Sequence, residues 1–406
     1  MNAADTAFVL MGAALVFVMT PALAFFYGGM VRRKNIVSIL MQCFMLMCVV
    51  SVLWVVYGYS LSFAPSEGFW GGFAWLNLKS VGLEPFSGYS ETIPHQAFMI
   101  FQAMFAIITP ALIIGAFAER MKFSSFMAFM ILWFTFVYCP ICHWVWGLGG
   151  ILRKMGALDF AGGTVVHINA GIAALICAIL LGKRKPPLAA APHNVPFVVL
   201  GTGLLWFGWF GFNSASALAA NGLAANAFVV TNTAAAAAGL SWAVIEWLKH
   251  GKPTVFGVCS GIVAGLVAIT PAAGYVSVVP AIIIGGLVSV FCFFAVTVLK
   301  PALGYDDSLD AFGVHCIGGI WGALATGLFC SKAVNPAGAD GLFFGNPQQL
   351  IIQAKAVVVT LLYSGIITFV IYKAVDLVMG MRVTLRDEIM GLDLTQHHER
   401  AYSVLE

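Results

Sequence analysis

Cys139-Pro140-Ile141-Cys142-His143 reproduces C-x-x-C-H, the spacing of a c-type haem attachment site. Two further histidines, His167 and His315, each open the pattern H-x-x-x-G-I, in "HINAGI" and "HCIGGI". Each also has an aspartate upstream, Asp159 before the first and Asp310 before the second. The cysteine set suggests haem or thiol redox chemistry. The histidine set suggests a pair of imidazoles that share one N–H and hand a proton from one to the other. A metal site is the competing chemistry for the histidines, but it needs a third and fourth ligand. Neither histidine stands in an H-E-x-x-H or H-x-x-H arrangement. No metal and no cofactor is expected.

Which of these chemistries is available depends on the elements that carry them. The 406 residues are 61% hydrophobic and 9% charged, against about 25% charged in an average soluble domain. So few charges cannot cover a water-facing surface. The expected fold class is an all-α polytopic membrane protein, because apolar runs in lipid must satisfy their backbone internally as helices. Eleven runs qualify: roughly 6–31, 38–63, 94–117, 123–147, 160–182, 196–218, 225–248, 254–273, 277–299, 310–332 and 350–380. The first run is too long for a cleavable signal and is followed by Arg32, Arg33 and Lys34. With the N-terminus outside, 15 of the 20 lysines and arginines fall on the cytoplasmic side. The positive-inside rule therefore favours N-out, C-in, although Arg153 and Lys154 run against it locally. The net charge of +3 says little by itself, and no nucleic-acid partner is expected.

The haem spacing lies inside the apolar run "FMAFMILWFTFVYCPICHWVWG". Covalent haem attachment needs an accessible segment, and no positive neighbour is present to lower a thiol pKa. Cys139 and Cys142, like the other cysteines, read as small buried hydrophobes, and no disulfide framework is expected. The histidines lie in the fifth and tenth runs. Five runs apart, they cross in opposite directions, which suggests an inverted repeat of 6–182 and 196–332. The run 350–380 is then an added final helix and 381–406 a polar tail. Inverted repeats often place the transport pathway at their interface, and ionisable groups within a span usually face such a pathway.

Aromatic residues are graded by depth above the histidines. At ~1.5 Å per residue, Trp146 and Ser216 sit within roughly 3 Å of their outer span ends, Phe101 and Phe212 ~10 Å down, and Phe105 ~16 Å down. Aromatic faces at a mouth attract a small cation, and Ser216 adds a hydroxyl acceptor. Ordinary interfacial Trp and core Phe would produce the same pattern. Asp159 caps the start of the fifth helix and complements its dipole, or favours a cation nearby. Asp310 reads as a cap at the cytoplasmic end. His397 and His398 read as members of a solvated tail.

The chain resembles the ammonium transporter (Amt) family, close to its bacterial members. The strongest stretch is "DFAGGTVVHINAG" (159–171). It is supported by "FYGGMVRRKN" (26–35), "GAFAERMKF" (115–123), "GWFGFNSAS" (208–216), "GLVAITPAAGY" (265–275) and "DAFGVHCIGG" (310–319). The resemblance implies eleven helices with a pseudo-twofold between two sets of five, and a homotrimer in the cell membrane with one pathway per subunit. Phe101, Trp146 and Ser216 match its outer ammonium-recruiting site, and Phe105 with Phe212 its paired gate. His167 and His315 match the twin histidines of the lumen, and Asp159 the aspartate beneath the outer site. Ammonium is the implied substrate, with methylammonium as a possible analogue. "GLDLTQHHERAY" looks like a cytoplasmic tail that helps dock P-II-type regulators. The alternatives are an ammonium sensor and a membrane-embedded metal or haem enzyme. Cys142 departs from the small residue, such as alanine, that similar bacterial members tend to have there.

Overall fold

The structure is a computed structural model that describes residues 1–185 and 192–402. Among the described residues every element of regular structure is helical, apart from one isolated β-bridge, Met121 to Arg382. Ten helices are long and apolar enough to cross a membrane. They are α1 (Ala3–Met30), α2 (Arg33–Phe63), α3 (His95–Phe117), α4 (Phe123–Met155) and α5 (Gly163–Leu181) in the first part of the chain. Then follow α6 (Val195–Ala217), α7 (Gly222–His250), α9 (Val278–Leu303), α10 (Phe312–Phe329) and α11 (Pro347–Met379). The expected run 254–273 folds as a shorter apolar helix, α8 (Val255–Ile269), of 15 residues. It ends early because the chain turns at Thr270–Tyr275. Polar side chains start several helices by accepting orphan backbone N–H groups: Asn2 for α1, Asn194 for α6, Asn221 for α7 and Thr254 for α8.

α3 is the central helix: 89% of its most apolar window is buried, against 33% for α11 at the periphery. α1 packs along α6, α7 along α8 and α9, and α5 against α10 and α11. The outward faces are apolar, with Phe17, Phe44, Leu240, Phe294 and Leu362 exposed. Such a surface suits lipid or another subunit, and a soluble monomer rarely exposes so much of it.

Alternate loops gather at two ends. At one end Asn2 N donates to the Thr92 carbonyl, Phe160 N to Pro271 and Ser331 N to Tyr275. At the other, Arg120 is wholly buried and donates to the carbonyls of Ala116, Ala118, Gly182 and Asp306 and to the Ser308 hydroxyl. Beside it, Glu119 pairs with Arg32 at 3.1 Å and Arg184 at 3.3 Å, and Arg184 pairs with Asp306 at 2.9 Å.

Much of the tail is docked, which corrects the solvated reading for His397, whereas His398 is exposed. Residues 384–397 form two short helices, α12 (Leu385–Met390) and α13 (Leu392–His397), folded back under the bundle. Asp393 accepts from Ser38 N at 2.8 Å, Asn35 accepts from Leu392 N at 2.8 Å, and Glu388 accepts from Lys185 N at 2.7 Å. His397 Nε2 lies 3.4 Å from the Ser38 hydroxyl. Glu388, Leu392 and Asp393 are tied by these contacts to partners far upstream in the chain, while Arg386, Glu399 and Arg400 stay exposed. Residues 403–406 of the expected tail lie outside the described residues.

Candidate functional site

The central helix α3 presents Phe101 and Phe105 one turn apart, and α6 presents Phe212 and Ser216 at the same spacing. Trp146 ends the continuous part of α4, which breaks at the turn 147–150. These side chains meet. The Phe101 and Phe105 ring centroids are 5.0 Å apart and edge-on, and Trp146 stands edge-on to Phe105 at 5.6 Å. Phe105 and Phe212 are 4.5 Å apart, within the range of favourable aromatic contact. Trp146 and Ser216 are partly exposed, whereas Phe101, Phe105 and Phe212 are buried. The Ser216 hydroxyl donates to the Phe212 carbonyl at 2.8 Å, which leaves its oxygen lone pairs as acceptors at the mouth.

Below the phenylalanines the column continues through Trp209, stacked on His167 at 5.4 Å, to His315, also 5.4 Å from His167 with the rings 10° from parallel. Trp209 is steadied by its indole N–H on the Thr270 hydroxyl at 2.8 Å. The expected sharing of an N–H between the histidines is not made: neither ring nitrogen of His167, nor Nδ1 of His315, has a hydrogen-bond partner among the described residues. Both rings line the lumen, so these ring nitrogens are polar groups in the pathway without a protein partner. The cavity there measures about 10 Å³, room for roughly one water-sized molecule. Apart from the histidines it is lined by apolar and aromatic side chains such as Leu112, Leu205, Trp209 and Val263, with no charged residue. A second cavity of about 10 Å³ runs from His315 past Ser260 to Asp310.

The repeated glycine of H-x-x-x-G-I explains how the histidines come together. A Cβ on Gly171 would stand 2.4 Å from the backbone N of Cys316, and one on Gly319 would stand 3.0 Å from the Gly163 carbonyl. Each motif glycine is therefore the point where its helix touches the other, one turn after its own histidine in the chain. Both histidines also lie in π-helical segments, Gly163–Ile168 and Phe312–Cys316; such segments are frequent at functional sites.

Asp159 is a buried cap. Its carboxylate accepts from Gly162 N and Gly163 N at 2.7 Å, Thr164 N at 2.8 Å and Val165 N at 3.1 Å. Its own carbonyl accepts the Trp146 indole N–H at 2.8 Å, so the residue that starts α5 also orients the mouth. The corresponding cap of α10 is not Asp310. Asp307, eight residues before His315 as Asp159 is eight before His167, is fully buried and accepts from Phe312 N at 2.7 Å. Asp310 has a φ of 61° and pairs with Lys300 at 2.6 Å.

Across residues 7–402 the chain matches the model of the Ammonium Transporter Family. The chain belongs to that family. It is 53% identical to the ammonium transporter of Bacillus subtilis (strain 168), over 99% of both chains. Saccharomyces cerevisiae Mep2 superposes with a TM-score of 0.89 at 35% identity, covering 95% of this chain and 88% of that one. A structure titled Sensor Amt Protein gives 0.89 at 30% identity, over 97% and 98%. With ten membrane-length helices, this family member is a multi-pass membrane protein.

The C-x-x-C-H segment contributes nothing to the column in this member of the family. Cys139, Cys142 and His143 are fully buried, and both cysteines are free thiols. The His143 ring nitrogens face the carbonyls of Ser62 at 3.3 Å and Ser66 at 3.1 Å. Among the described residues no group of three or more His, Cys, Asp or Glu is placed to hold a metal ion. Trp209 and Asp307 were missed in the sequence. Trp209 lies three residues before Phe212 on the same helical face, a usable signal, and the eight-residue offset would have selected Asp307 over Asp310. Arg153 and Lys154, the local exceptions in charge, are held in place: Arg153 donates to the Trp146 carbonyl and covers the Tyr89 ring at 5.8 Å, and Lys154 pairs with Glu67 at 2.6 Å.

Proposed function

We propose that this family member carries ammonium across the cell membrane along the column just described. The observation that carries the reading is an unbroken series of aromatic and imidazole side chains from Trp146 to His315, ending in a water-sized lumen with no charged residue in its wall. Phe101, Trp146 and Ser216 recruit the cation, the rings by attraction to their faces. Phe105 and Phe212 close the pathway beneath. An apolar lumen rejects a strongly hydrated cation, and desolvation depresses an amine pKa, as in buried lysines that fall to about 5–6. The ion therefore gives up a proton, and ammonia passes between His167 and His315. The histidine nitrogens without protein partners relay the released proton and give it up on the cytoplasmic side, so that one positive charge crosses with each ammonia and net transport is electrogenic. Asp159 favours the cation through its charge while it caps α5.

The same proposal includes the assembly. The N-terminus lies outside and the tail inside, with eleven crossings once α8 is counted. The two sets of five helices are related by an inverted repeat, supported by the matching aspartate–histidine offsets and by the paired π-helical segments around the histidines. Three subunits associate through the exposed apolar faces, each with its own pathway. The docked tail is a surface for a P-II-type regulator, and a pull-down with the host's P-II protein that fails both with and without ADP or 2-oxoglutarate removes that part. A second reading, ammonium sensing, is favoured by the Sensor Amt Protein likeness.

The test is current across reconstituted membranes under an ammonium gradient, with His167→Ala and Phe101→Ala alongside. The unmutated protein is expected to give a current that His167→Ala abolishes and that Phe101→Ala shifts to higher concentration. Silence of the unmutated protein, with methylammonium uptake also absent, overturns the transport reading and leaves sensing.

A further inference from the structure

α11 is apolar along most of its length, yet near its start two glutamines one turn apart, Gln349 and Gln353, are 3% and 1% exposed. A buried amide inside a membrane helix is costly unless every polar atom is paired, and a leucine or isoleucine would fill the space without that demand. Here both amide atoms of Gln353 are paired, and both bond Leu158. Gln353 Oε1 accepts from Leu158 N at 2.8 Å while its Nε2 donates to the Leu158 carbonyl at 2.7 Å and to Ala323 O at 3.1 Å. Gln349 Nε2 donates to the Gly156 carbonyl at 3.0 Å and to Gln353 Oε1 at 3.3 Å. One side-chain amide thus grips both the N–H and the C=O of a single backbone residue 195 positions away.

The residue it grips is the one before Asp159. Asp159 is held from the other side by the four backbone N–H groups at the start of α5, and its carbonyl is the hydrogen-bond partner of the Trp146 indole. We propose that Gln353, seated by Gln349, is a positioning residue for the outer cation site, holding the 156–159 loop so that the Asp159 carbonyl aims Trp146 at the mouth. The proposal rests on the transport reading above and adds to it a residue that touches neither substrate nor column. With the grip gone, Leu158 keeps its chain connection but loses its fixed orientation. The Asp159 carbonyl moves, and Trp146 no longer presents a constant face to the cation.

The experiment compares Gln353→Leu, Gln349→Leu, Trp146→Leu and the double variant Gln353→Leu with Trp146→Leu in reconstituted membranes, reading half-saturation and maximal current separately. Gln353→Leu is expected to raise the half-saturating ammonium concentration about fivefold, the effect of losing roughly one hydrogen bond's worth of site organisation, with little change in maximal current. In the double variant it adds nothing to Trp146→Leu, because residues that act through one another are not additive. A brace that only stabilises the fold gives the opposite result: unchanged half-saturation, or an effect that multiplies with Trp146→Leu, and either overturns the proposal. If Gln353→Leu does not fold, Gln349→Leu decides by the same criterion, with a smaller rise expected. If the unmutated protein carries no current, the transport reading falls by itself. The brace is then judged on hydrogen exchange of the Gly162–Val165 amides, expected to be faster in the glutamine variants; unchanged exchange overturns it.

Discussion

Asp159 spends both carboxylate oxygens on four consecutive backbone N–H groups in a buried setting. An ordinary cap is worth about 1 kcal/mol, and stranding several buried donors costs more, so Asp159→Ala should destabilise the protein by about 2 kcal/mol or more. Thermal melting of detergent-purified protein measures this, and the same variant should lose ammonium current because the Trp146 partner moves with it. An unaltered melt would show that the cap does not hold α5. The thiols behave differently. Replacing both Cys139 and Cys142 by alanine removes two small buried groups from α4, and current should persist with a visible spectrum free of haem absorption. A haem or redox site would lose its function outright. At this scale the sequence is persuasive about residue type and weak about partner. "DFAGGTVVH" announces a cap and a histidine, but it does not say that the cap's own carbonyl holds an indole from the preceding helix.

Among the elements, the contact between α5 and α10 decides whether two histidines form one site. Gly171 and Gly319 are the residues of closest approach, and a methyl group at Gly171 would collide with the Cys316 backbone. Overpacking of this kind costs about 1–3 kcal/mol and would push the histidines apart. Gly171→Ala should therefore lower both melting temperature and current. Gly286→Ala on α9, where nothing lies within 4 Å of the added methyl, should change neither. Equal melts and currents for the two variants would remove the crossing from the account of the site. The helices themselves were legible in the run lengths, since backbone in lipid has few other solutions. The shortness of α8 was legible in Pro271, which breaks a helix and stands at the turn Thr270–Tyr275, but the apolar run continues past it and hides the stop.

For the whole molecule, the two ends of the bundle are tied by polar groups that an apolar chain can spare only in small numbers. Burial pushes the Asp306 carboxyl up, but the Arg184 hydrogen bond and charge, with Arg120 nearby, outweigh it and hold the group at about 2. Burial likewise pushes Glu119 up, and Arg32 with Arg184 outweigh it and keep it below the usual glutamate value. A folded pKa below the unfolded one gives stability that is whole above the unfolded value, near pH 4, and is lost as the pH falls toward the folded value. For Asp306 this amounts to about 2 kcal/mol at neutral pH, falling to roughly half near pH 3. Asp306→Asn should thus melt below the unmutated protein at pH 7, with the gap narrowing by pH 3; a gap that widens on acidification contradicts the assignment. Composition and run length by themselves determined that this is a helical membrane protein, and the motifs determined which aromatic, histidine and aspartate side chains to inspect. Both are local properties, fixed by the cost of exposing backbone or charge to lipid. The tertiary structure alone decided what those residues touch. It folded the tail under α2, chose Asp307 over Asp310 as the second cap, left the lumen histidines without hydrogen bonds to each other and placed Gln353 on Leu158. Each of these is a contact between distant segments, set by how the helices cross, and no pattern within a single segment encodes it.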